Sequence, residues 1–188
     1  MMAAIAIDYL CRTTRSDDIG VAYLFCNYKA QADQSASSLL AALLKQLVQG
    51  RPDIAAPLTQ MYELHSKRGS RPSPGDILLA LYSICSAYTT IYIVVDALDE
   101  CADGDHDRSR LVDKLHELQA RIDVRLLFTS RFISEITQNF QSETTLEVRA
   151  NEEDVRRFVA GQMSRLPKYG EQLKRVIQDK ITEAVDGM

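Results

Sequence analysis

No stretch of this 188-residue chain approaches the 18 consecutive apolar residues of a membrane-spanning helix, so no span is expected. The opening MMAAIAIDYLCRTTR is apolar at first. It has no basic segment ahead of it, and Asp8 ends the run after seven residues, which argues against a signal peptide. Cysteine is scarce and scattered: Cys11, Cys26, Cys85 and Cys101 make no CxxC pair. That spacing fits reduced intracellular thiols better than a disulfide framework or a zinc site. Positive charge is in deficit, with 22 Lys and Arg against 26 Asp and Glu. The net charge of -4 gives no electrostatic case for nucleic acid or an anionic membrane as main partner. Internal repeats and low-complexity tracts are also absent. A soluble, cytoplasmic protein is the expectation left standing.

The length suits about one domain with a single good-sized core, and 46% apolar residues exclude a disordered chain. Short apolar runs alternate with helical patterns. Residues 1–13 read as a helix with Ile5, Tyr9 and Leu10 on one side and no N-cap before it. Residues 20–28, GVAYLFCNY, read as a strand. In 35–49 a stripe of Leu39, Leu40, Leu43, Leu44 and Leu47 predicts a core-facing helix stopped by Gly50 and Pro52. A helix follows over 53–67, ending near Gly69. LHSKRGSR (64–71) reads as a solvated basic loop, with a neighbouring subunit as a further option, and SRPSPG (70–75) as a loop. Pro74 starts a helix over 76–88.

Next come the strand IYIVV (91–95), a polar loop (102–108), a helix over 109–121, the strand RLLFTSR (125–131), a short helix (132–140) and the strand TTLEVR (144–149). Asn151 caps a helix with acidic residues in its first turn, and a last helix runs over 170–186. Strands alternating with helices of this length predict right-handed crossovers and a parallel sheet: an α/β fold. IYIVV and RLLF are apolar on both faces, as central covered strands are. Ligands of such sheets bind at the carboxyl ends of the strands. Asp96 and Arg131 both fall at such ends.

The segment IYIVVDALDEC (91–101) delivers Asp96, Asp99 and Glu100 to one strand end. Three readings compete. The acidic residues can simply follow a strand into a solvated loop. They can form an aspartate pair for phosphoryl transfer, as in haloacid-dehalogenase-type enzymes, although those space their carboxylates two apart and Asp96 and Asp99 are three apart. Or they can form a Walker B segment, in which an aspartate holds Mg²⁺ through water and a nearby acid polarises the attacking water. The last fits strand position, spacing and residue types.

IYIVVDALDEC, with RLLFTSR some thirty residues on, resembles the NACHT-type NTPases of the STAND class, above all the nephrocystin-3-like NACHT modules of filamentous fungi. VAYLFCNYKAQADQSASSLLAALLKQL is similar to their second strand and following helix. NEEDVRRFVAGQM is similar to the segment where the NTPase core meets its helical continuation. The resemblance implies a P-loop NTPase-type three-layer core over 1–150 and the start of a helical domain over 151–188. It implies that Asp96 orients Mg²⁺ on the nucleotide phosphates. Glu100, or alternatively Asp99, handles the hydrolytic water, and Arg131 senses the γ-phosphate. A surface arginine paired with a neighbouring carboxylate is the plainer reading of Arg131. It further implies ATP or GTP as ligand, self-association through the NACHT modules, and effector and repeat domains elsewhere in a full-length chain. The intact family is a nucleotide-dependent switch.

The sequence departs from that pattern in one respect. None of its eight glycines is followed by lysine, so no GxxxxGK[ST] phosphate loop occurs in it. Met1 then looks like the position just after such a loop, and AVDGM like a second cut end. The expectation is an α/β sheet lacking its first strand and P-loop, and a fragment whose NTPase activity is impaired. The alternative is a non-catalytic remnant that works by binding partners. In the family's strand order of 5-1-4-3-2, GVAYLFCNY, IYIVV and RLLFTS still make a three-stranded block. TTLEVR must pair with RLLFTS or leave an open edge.

Overall fold

The computed structural model describes residues 2–14, 16–101, 106–148, 152–163 and 170–185. In chain order they form helix α1 (Met2–Thr13), strand β1 (Ile19–Phe25), helices α2 (Ala36–Gly50), α3 (Ala56–Arg68) and α4 (Pro74–Cys85), and strand β2 (Thr90–Asp96). Helix α5 (Asp107–Gln119), strand β3 (Val124–Phe128) and helices α6 (Ser134–Gln138), α7 (Glu152–Met163) and α8 (Glu171–Val185) follow. The chain divides into two compact units, Met1–Asn139 and Phe140–Met188.

The first unit is built on a parallel sheet of order β1-β2-β3. Phe25 pairs with Asp96, and Val95 with Phe128, so all three strands end at one level. Strand β2 is central, and Ile91, Ile93, Val94 and Val95 are buried on both of its faces. Side chains alternate across the sheet. Gly20 and its partner Ile91 face α2, where a Cβ on Gly20 would lie 2.9 Å from Leu47 Cδ2. Val94 points the other way and meets Ala3, Ile7 and Leu10 of α1. Helices therefore cover both faces.

The leucine stripe of α2 is core as expected: Leu39, Leu40, Leu43, Leu44 and Leu47 are all buried. Ser35 caps the helix by accepting from the Ser38 N–H. Pro74 opens α4, and Ser73 and Asp76 close a reciprocal capping box ahead of it. Helix α4 packs on α2, and α5 packs on α2 and β3. The His116 ring of α5 stacks on Phe128 with centroids 6.3 Å apart.

Several expectations are corrected. Residues 144–148 form no strand, and Leu146 and Val148 are exposed; Arg149 lies outside the described residues. Strand propensity without a partner ladder does not make a strand. The buried face of α1 is Ala3, Ile7 and partly Leu10, whereas Ile5 and Tyr9 are exposed. Contact with Val94 selects the 3, 7, 10 stripe. The segment 64–68 is the last turn of α3 and not loop, closed by Gly69 in the left-handed region with φ 61°. Strand β1 stops at Phe25, because Asn27 caps a 3₁₀ turn over Tyr28–Asp33. Strand β3 stops at Phe128, so Thr129, Ser130 and Arg131 lie beyond it. Asn151 falls outside the described residues.

In the second unit α7 and α8 pack together, and Gln178 Nε2 donates to the Arg156 carbonyl at 3.2 Å.

Candidate functional site

Asp96 is the last residue of β2, and the chain must turn at once to leave the sheet. It does so at Ala97, which adopts φ 54° and ψ 52°, a left-handed conformation unusual for any residue but glycine. A single 3₁₀ turn, Leu98–Glu100, follows and is anchored by Leu98, which is 1% exposed.

Thr129, just past the neighbouring strand, holds this turn in place. Its Oγ1 donates to Asp96 Oδ1 at 2.6 Å and accepts from the Ala97 N–H at 3.0 Å. Its backbone N–H donates to the Val95 carbonyl at 2.9 Å, and its carbonyl accepts from the Leu98 N–H at 2.8 Å. Four hydrogen bonds from one residue thus fix both the strained Ala97 and one oxygen of the Asp96 carboxylate.

The other two carboxylates diverge. Asp99 turns to the β3 side: its Oδ2 accepts from Arg131 Nε at 2.6 Å, and its Oδ1 from the Arg131 backbone N–H at 3.1 Å. Burial alone would raise the Asp99 carboxyl; the hydrogen bonds from Arg131 outweigh it and hold its pKa below the ordinary carboxylate value. The same contact raises the Arg131 guanidinium. Glu100 turns to the β1 side, where its Oε2 accepts from the Tyr28 N–H at 3.2 Å. Gln31 Nε2 donates to the Glu100 carbonyl at 3.2 Å.

The four predicted site residues therefore surround one turn, each with a partner. The paired reading of Arg131 describes its geometry here. Sequence reasoning passed over Thr129, although the hydroxyl stood in the quoted TSR segment. It also passed over Gln34, a buried polar residue that brackets Asn27 through the Asn27 N–H at 3.2 Å and carbonyl at 2.8 Å, ordering the exit from β1. Asp107, expected in the polar loop, is the first residue of α5, and its Oδ1 accepts the Ala36 N–H at 2.9 Å and so caps α2 from afar. Among the described residues no three His, Cys, Asp or Glu side chains are grouped to hold a metal ion.

Chemically, the end of the sheet offers one braced carboxylate, a buried carboxylate bound to an exposed guanidinium, and backbone groups already satisfied. This is an α/β protein with an acidic site at the carboxyl ends of parallel strands. The chain belongs to the nephrocystin 3, N-terminal family, whose model matches residues 1–131, from α1 to the end of the TSR segment. No curated protein matches it significantly. Among the described residues, no helix is long and apolar enough to cross a membrane.

Proposed function

We propose that the turn after β2 is the metal-and-water half of a nucleoside-triphosphate site, in a NACHT-type P-loop NTPase module that serves as a STAND-class switch. The observation that carries this reading is the placement of Asp96 at the carboxyl end of the central parallel strand, with its carboxylate fixed from the adjacent strand by Thr129 Oγ1 at 2.6 Å. Mg²⁺ is bound by hard oxygens, keeps several waters and is shared with substrate phosphates. One braced carboxylate fits that mode through water, whereas among the described residues no cage made of protein ligands alone is assembled. When bound, Mg²⁺ offsets charge on the β- and γ-phosphates.

The residues divide the work. Asp96 orients the metal's water shell. Both oxygens of Asp99 are engaged by Arg131, so Glu100 is the better group to orient the hydrolytic water. Arg131 gives its Nε to Asp99 while its side chain stays 78% exposed, so the outer N–H groups of the guanidinium are the ones to meet a phosphate. None of the glycines in the 188 residues is followed by lysine, so the main phosphate contacts of such sites are not supplied by them, and the chain itself binds ATP or GTP weakly. Calorimetry of the 188-residue chain with Mg²⁺ and each nucleotide should give no micromolar affinity; a micromolar, Mg²⁺-dependent constant would contradict this.

A second reading, a non-catalytic module that binds partners, is favoured by one observation. Asp99 and Glu100 already satisfy the N–H groups of Arg131 and Tyr28, a task the turn requires without any nucleotide. Mg²⁺–nucleotide that perturbs none of these residues would select it.

A further inference from the structure

Ser70 comes directly after the left-handed turn at Gly69 that ends α3, and it opens an irregular stretch, 70–73, leading into α4. It is exposed, as are Lys67, Arg68 and Arg71 around it. Lys67 and Arg68 stand three and two residues ahead of Ser70, and no other serine or threonine of the chain has a basic residue at both places. The Ser70 Oγ lies 2.9 Å from His65 Nδ1. The other ring nitrogen, Nε2, is buried and lies 3.4 Å from Asp76 Oδ2 in the first turn of α4. The imidazole thus stands between a serine hydroxyl and a carboxylate.

The serines on either side are placed differently. Ser66 is inside α3, so a kinase cleft reaches it only after the last turn unwinds. The Ser73 hydroxyl is committed to the start of α4: it donates to Asp76 Oδ2 at 2.6 Å and accepts from the Asp76 N–H at 3.2 Å. Of the three, Ser70 alone offers an exposed hydroxyl on non-helical chain outside a helix cap. Kinases choose among such serines by the charges that flank them.

We propose that Ser70 is a phosphorylation site for a protein kinase that selects basic residues, and that its phosphate tightens the corner between α3 and α4. In the transfer the Ser70 Oγ attacks the γ-phosphorus of ATP. The O–P bond forms, the bond to the β-phosphate oxygen breaks, ADP leaves, and the hydroxyl proton passes to the kinase's carboxylate base. The product carries a charge of about −1.5 to −2 and three strong acceptor oxygens beside His65, Arg68 and Arg71. An anion there favours the imidazolium form of His65, which donates from both nitrogens, to the phosphate and to Asp76. The carbonyl end of α3 opposes an anion; Lys67, Arg68 and Arg71 offset it.

The test incubates the folded 188-residue chain with Mg²⁺–ATP and cyclic-AMP-dependent protein kinase, which selects basic residues ahead of its serine, and maps the phosphate by mass spectrometry. The proposal expects one phosphate, on Ser70, and an unchanged circular dichroism spectrum. It also expects slower hydrogen exchange at the Gly69 and Ser70 amides, which close α3 onto the Ser66 and His65 carbonyls. Arg68→Ala should slow the transfer about tenfold, the loss of one charged contact to the kinase. Ser70→Ala should take no phosphate. Mapping of the wild-type chain fixes the site even where a variant fails to fold. Phosphate on another residue, or on Ser70 only after unfolding in urea, would overturn the proposal. So would a transfer rate unmoved by Arg68→Ala, or unchanged exchange at the two amides.

Discussion

Asp99 and Arg131 form an unequal pair: the carboxylate side chain is 3% exposed and the guanidinium side chain 78% exposed. The buried partner needs the contact more than the exposed one. Replacing Asp99 by Ala frees an arginine that water solvates easily but leaves the Arg131 N–H without its acceptor. A cost of about 1–2 kcal/mol is expected, measured by urea unfolding.

The same pair sets a pH dependence. Because the folded-state pKa of Asp99 lies below its unfolded value near 3.8, the contact contributes stability above that value. The contribution is lost as pH falls through the folded pKa. Arg131→Ala should flatten this loss, since burial then acts on the carboxyl without the guanidinium. Comparing urea midpoints at neutral and strongly acidic pH for both chains checks it; equal acid sensitivity would contradict the assignment.

Thr129→Val keeps the shape and removes Oγ1. The part-buried Ala97 N–H then loses its acceptor and Asp96 its donor. A loss of about 1–3 kcal/mol is expected, with Thr129→Ser recovering most of it. A loss for Ser with none for Val would instead assign the effect to packing of the methyl group.

Ala97→Gly should stabilise the chain, because φ 54° costs a Cβ-bearing residue about 1–2 kcal/mol and glycine very little. The greater freedom of glycine in the unfolded chain returns part of this, leaving a net gain of about 0.5–1 kcal/mol in chemical denaturation.

Asp96→Asn retains an oxygen to accept from Thr129 and removes one of three neighbouring negative charges. Stability should change by no more than about 0.5 kcal/mol, or rise slightly. A clear fall in Tm would show that the charge itself holds the turn.

The parts of the fold legible in the sequence were those set by local pattern. IYIVV read as a covered strand because both faces are apolar, and the 39–47 stripe read as core because its leucines recur at helical spacing. RLLF carries the same apolar signal, yet β3 is the edge of the described sheet, with Arg125 and Leu127 exposed. TTLEVR misled because alternation alone cannot supply a partner strand. The acidic turn was visible as DALDE at a strand end, and Asp96, Asp99, Glu100 and Arg131 do converge there. Their partners were not visible. Thr129 reaches Asp96 across 33 residues, and the Tyr28 N–H meets Glu100 only because β1 and β2 pair in parallel. Such contacts follow from topology, and no spacing rule encodes them.

The most direct measurement is an NMR titration of the 188-residue chain with Mg²⁺–ATP and Mg²⁺–GTP, repeated with Asp96→Asn. Weak, millimolar binding is predicted. Its shifts should centre on Asp96, Ala97, Thr129 and Arg131, require Mg²⁺, and vanish in the variant. Shifts elsewhere, or none at these residues, would contradict the claim that this turn is half of a nucleotide site.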